Sequence, residues 1–131
     1  MGLKERQQID YVQREILPVQ NQRLCDYTGA SLSYEVDWAT FADDLEACYS
    51  LGGLLNLMGN AWEWVARQPP GRQALAQGIT GILIQNTPDP KIKQISLNDK
   101  VLTIITALSD GTYTGRFQES ELIELALQDS R

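Results

Sequence analysis

Three observations predict an α+β fold on a single domain spanning residues 1–131. Residues 32–38 alternate apolar and polar at every step. The last third holds short apolar runs bounded by turn residues. Apolar residues recur at helical spacing near the start, middle and end of the chain. The predicted architecture is an antiparallel sheet of about four to five strands, with a C-terminal meander, packed with N-terminal, central and C-terminal helices. A length of 131 residues suffices for one domain with a proper core. A hydrophobic fraction of 43% and a charged fraction of 21% are ordinary for a globular chain and speak against disorder.

The first helix is predicted over residues 3–26, where Ile9, Val12, Ile16, Val19 and Leu24 lie near one helical stripe. Pro18 lacks a backbone donor and is expected to kink or break it, and Thr28-Gly29 ends it. In the strand over residues 32–38, Leu32, Tyr34, Val36 and Trp38 share the inward face, leaving Ser33, Glu35 and Asp37 on a wet, acidic one. A helix is then expected from Thr40, with Thr40 and Asp43 as a capping-box-like start and Phe41, Leu45, Cys48 and Tyr49 as its inward stripe.

Gly52-Gly53 is predicted to break this helix, and a second, more apolar helix runs to Arg67. Leu54, Met58, Ala61, Trp62 and Val65 share one of its faces. Leu57 and Trp64 lie on another, because helix positions two apart point nearly opposite ways. Either the helix is sandwiched between two layers, which is the expectation, or Leu57 and Trp64 form an exposed interface patch.

Residues 71–86 read as a short helix over 72–77 and a strand over 81–86, with one continuous helix as the alternative. The strand is preferred because Ile82-Leu83-Ile84 is a short run bounded by Gly and Pro. Strands over residues 91–97, 100–108 and 112–116 form the meander, with turns at Asn98-Asp99 and Asp110-Gly111. The middle strand is apolar on both faces and is expected to be central and covered on both sides. A helix over 118–128 closes the chain, with Leu122, Leu125 and Ala126 inward. Arg116 is expected to pair with Glu119 or Glu121.

Charge distribution is the least ordinary property. No Lys or Arg lies between Arg23 and Arg67, while seven acids do, so the net charge of −6 arises within that stretch. An acidic chain lacks the cationic surface that nucleic acid or an anionic membrane selects. The polar, charged start carries no apolar targeting run, and no segment matches a membrane span. Cys25 and Cys48 fit neither a zinc spacing nor a redox pair and read as reduced thiols, in keeping with a cytoplasmic protein.

The absence of histidine removes the usual general base and the commonest metal ligand. No catalytic motif, phosphate loop, cofactor fingerprint or complete metal-ligand set is present, so no enzyme activity is assigned. Glu35, Asp37, Asp43, Asp44 and Glu46 form the sharpest chemical cluster. The leading expectation is a non-catalytic interaction or regulatory protein (an inhibitor, an immunity-type factor or an adaptor). It would use these acids as a face for a basic protein partner, with self-association as the other possible contact. Two alternatives stand beside it. One is a divalent-cation-dependent or carboxylate-based enzyme built on the same cluster. The other is a binding domain for a small hydrophobic ligand.

Overall fold

The computed structural model describes residues 2–109. Helix α1 (Leu3–Tyr11), a π-helical turn (Val12–Ile16) and helix α2 (Leu17–Thr28) follow one another with helical backbone angles throughout. Pro18 therefore neither breaks nor ends the rod. The turn before it widens, and the Leu17 amide reaches back to the Val12 carbonyl, which accommodates the ring that would clash with the preceding turn. Gly29 ends α2 at φ 72, where its amide bonds the Cys25 carbonyl at 2.8 Å, as the sequence predicts.

Strand β1 (Tyr34–Val36) carries the expected alternation: Leu32 and Tyr34 are buried, while Ser33 and Glu35 are exposed. A 3-10 turn (Trp38–Phe41) follows, then a single helix α3 (Leu45–Ala66). Two expectations are corrected here. The helix starts at the Asp44 cap rather than at Thr40, and it runs through Gly52-Gly53 without a break. The apolar residues on either side of the glycines continue one buried stripe: Leu51, Leu54, Leu55, Met58, Ala61, Trp62 and Val65. Burial of that stripe, at roughly 1.5–3 kcal/mol for each large side chain, outweighs the glycines' weak helix preference. Phe41 and Cys48 are buried as predicted, but Tyr49 is 58% exposed.

Gly52 also has a packing role, since a Cβ there would lie 3.0 Å from the Ile16 side chain on the π turn. After α3, helix α4 (Pro69–Gly78) begins with its two prolines. Gly71 in α4 sits so close to the Val65 carbonyl that any side chain would collide with α3 backbone.

Strands β2 (Gly81–Asn86), β3 (Gln94–Asn98) and β4 (Val101–Thr106) complete a sheet of order β1-β2-β4-β3. The α+β class and the strand over residues 81–86 match the sequence reading. The sheet is mixed rather than antiparallel throughout: β1–β2 and β2–β4 are parallel, and only β3–β4 is antiparallel. The crossover through α3 and α4 returns the chain to the same end of the sheet, so β2 must run in the direction of β1. The β3–β4 hairpin turns on Asp99 and Lys100, at φ 52 and 65, one residue later than predicted. β4 is central as expected, with Leu102, Ile104 and Thr106 buried and Val101, Thr103 and Ile105 half-buried on its other face. The predicted strand over 112–116, its turn at Asp110-Gly111, the helix over 118–128 and the Arg116 pairing lie outside the described residues.

The strand register places the inner face in rows. Tyr34, Ile82, Leu102 and Leu97 form one row, and Val36, Ile84, Ile104 and Ile95 the next. The last row, Asn86 with Thr106, is polar. Helices cover the apolar rows except at Leu97, which is exposed on the edge strand β3, and no helix among the described residues is long and apolar enough to cross a membrane.

Two glycines of α3 separate packing from propensity. Among the described residues a Cβ on Gly53 meets nothing within 4 Å, whereas one on Gly59 would lie 2.7 Å from Arg23 Nη1. Gly53→Ala is expected to raise unfolding stability by about 0.5–1 kcal/mol. Gly59→Ala, with the same gain in propensity, is expected to lower it by roughly 1–3 kcal/mol through overpacking. Denaturant midpoints of the two variants test this, and equal shifts would contradict it.

Candidate functional site

The parallel strands β1, β2 and β4 all end at the same edge of the sheet, and the sequence-predicted acids gather around it. The Asp37 amide donates to the Ile84 carbonyl at 2.9 Å, making the last rung of β1. The Asp37 carbonyl then accepts from Thr40 Oγ1 at 2.6 Å and from the Thr40 amide at 3.0 Å, which winds the 3-10 turn. This turn delivers Asp44 to the start of α3.

Asn86, 7% exposed at the end of β2, joins these parts. Its amide donates to Thr40 Oγ1 at 3.0 Å, and its side-chain Nδ2 donates to the Thr40 carbonyl and to Asp44 Oδ2, each at 3.1 Å. Its Oδ1 accepts from the Leu108 amide at 3.1 Å, just beyond β4. Asp44 Oδ1 meanwhile caps α3 by accepting from the Ala47 amide at 3.1 Å.

The five predicted acids therefore divide. Asp44 has one oxygen on the helix cap and the other on Asn86. Asp37 Oδ2 accepts from Gln85 Nε2 at 3.0 Å, tying β1 to β2 through side chains. Glu35, Asp43 and Glu46 are exposed on β1, before α3 and in its first turn, respectively. Glu46 also lies where the helix dipole favours an anion. Among the described residues, no group of three or more acidic or cysteine side chains is placed to hold a metal ion.

A second polar cluster lies between α2 and α3, and the sequence reading missed it. Arg23 Nη1 donates to Gln20 Oε1 at 3.1 Å and Asn56 Oδ1 at 3.3 Å, and Nη2 donates to Asn60 Oδ1 at 3.1 Å. Arg23 Nε donates to Tyr27 Oη at 2.9 Å, with the guanidinium 5.4 Å from the Tyr27 ring centre. Glu63 Oε2 lies 3.8 Å from Nη2. Gly59 clears the space that the guanidinium occupies. One signal was available: Gly52, Asn56, Gly59, Asn60 and Glu63 form a small and polar stripe at helical spacing along an otherwise apolar helix.

The two predicted interface residues also separate. Leu57 is half-buried against the core, and Trp64 is 44% exposed while Trp62 is 2% exposed. The sandwiched helix is thus corrected: α3 keeps one face toward solvent. Cys25 and Cys48 are both free thiols that donate to the Leu32 and Phe41 carbonyls at 3.3 Å. Burial, with Asp44 nearby, pushes the Cys48 thiol pKa up.

Tyr34 Oη and Trp62 Nε1 are buried neighbours, and among the described residues neither makes a hydrogen bond of good geometry. Burial raises the Tyr34 phenol far above its ordinary value, and the neighbouring Trp62 indole and Arg23 charge work against that rise.

Two predictions follow from these groups. Asn86→Ala removes the donor to Asp44 Oδ2 and the acceptor of the Leu108 amide, and is expected to cost roughly 2–4 kcal/mol. The double variant Asn86→Ala, Asp44→Ala should cost less than the sum, and strict additivity in a double-mutant cycle would contradict the coupling.

Tyr34→Phe removes a hydroxyl that makes no hydrogen bond of good geometry among the described residues, so its cost at pH 7 is expected to stay within about 0.5 kcal/mol. Because folding raises the phenol pKa, the unfolded chain loses its proton first. Stability is then retained below the unfolded value, about 10 for tyrosine, and falls as pH rises above it. Unfolding measured from pH 8 to 11 should show a shallower alkaline decline in Tyr34→Phe than in wild type.

Comparison of the chain with protein-family models, curated proteins and solved structures finds no match in any of the three.

Proposed function

We propose that the chain is a non-catalytic binding protein whose acidic face, centred on Glu35, Asp43 and Glu46, docks a basic protein partner. The observation that carries this reading is the exposure of Glu35, Asp43 and Glu46 on one short segment whose path is fixed by the hydrogen bonds of Asp37 and Asp44 to Gln85 and Asn86. No Lys or Arg between Arg23 and Arg67 is available to neutralise them from within that segment. A face mounted on a strand end, a 3-10 turn and a helix cap keeps its charges in place, and preorganisation favours binding. Electrostatic complementarity then sets the rate of association and the choice of partner.

The experiment compares wild type with the triple variant Glu35→Lys, Asp43→Lys, Glu46→Lys, and with a charge-matched control that reverses Asp10, Glu15 and Asp26 on the N-terminal helical segment. A basic polypeptide immobilised on a sensor surface serves as the first probe. Its affinity for wild type should fall about tenfold or more as salt rises from about 0.05 to 0.3 M, because the attraction is screened. The triple variant should lose binding, whereas the control retains it. Equal losses in variant and control would assign the attraction to net charge and reject a specific face.

A further inference from the structure

We draw no further inference here: the strongest candidate, the polar side-chain cluster around Arg23 between α2 and α3, carries none, because the guanidinium already donates to Gln20, Tyr27, Asn56 and Asn60 within the fold and nothing among the described residues points to a ligand there.

Discussion

Asn86 is the constraint on which the acidic edge depends. One buried side chain, together with its own amide, holds the end of β2, the 3-10 turn after β1, the cap of α3 and the exit from β4. A buried amide is stable only when its donors and acceptor are satisfied, so these four parts must arrive together. The rows of the sheet show why a polar residue belongs there. Two rows of aliphatic and aromatic side chains face the helices, and the third, Asn86 with Thr106, lies where the chain must leave β1 and begin a helix. The helix cap exposes amides, the strand ends expose carbonyls, and one asparagine answers both.

That junction changes the meaning of the acidic cluster. Five carboxylates within a short stretch suggest a cation site, yet Asp37 and Asp44 are tied to Gln85, Asn86 and the start of α3. Asp44 is needed by α3 and Asp37 by the β1–β2 pair. The remaining three are carried on the scaffold those two secure. A carboxylate in the cap and one in the strand bridge thus fix the geometry of the carboxylates that face solvent.

Local patterns were legible and long-range pairing was not. The alternation over residues 32–35, the strand over residues 81–86 and the glycine end of α2 are set by neighbours in sequence, and each appears in the structure. Residues 36–38, by contrast, are all half-buried, and Trp38 has left the strand for the 3-10 turn. The parallel β1–β2 and β2–β4 pairings depend on the path of a crossover, which no local period encodes. Gly52-Gly53 misled because a propensity of at most about 1 kcal/mol per residue loses to a buried stripe of large side chains. Asn86 carried no visible mark, since a lone asparagine before a turn is common in any chain. The Asp44 cap lay one residue beyond Asp43 and three beyond Phe41, where the intervening 3-10 turn displaced the start of the helix.

The absence of bases between Arg23 and Arg67 has a structural component as well as an electrostatic one. Arg23 reaches from α2 into the polar stripe of α3 and takes Asn56 and Asn60 as acceptors, with Glu63 close by. At 24% side-chain exposure its charge is only partly screened by solvent, so a lysine or arginine in that stripe would meet a like charge in a reduced dielectric. The buried stripe excludes bases by desolvation. The remaining face, with Tyr49, Gly53 and Trp64, borders the same stripe, since Asn60 falls between Tyr49 and Gly53 around the helix and accepts from Arg23.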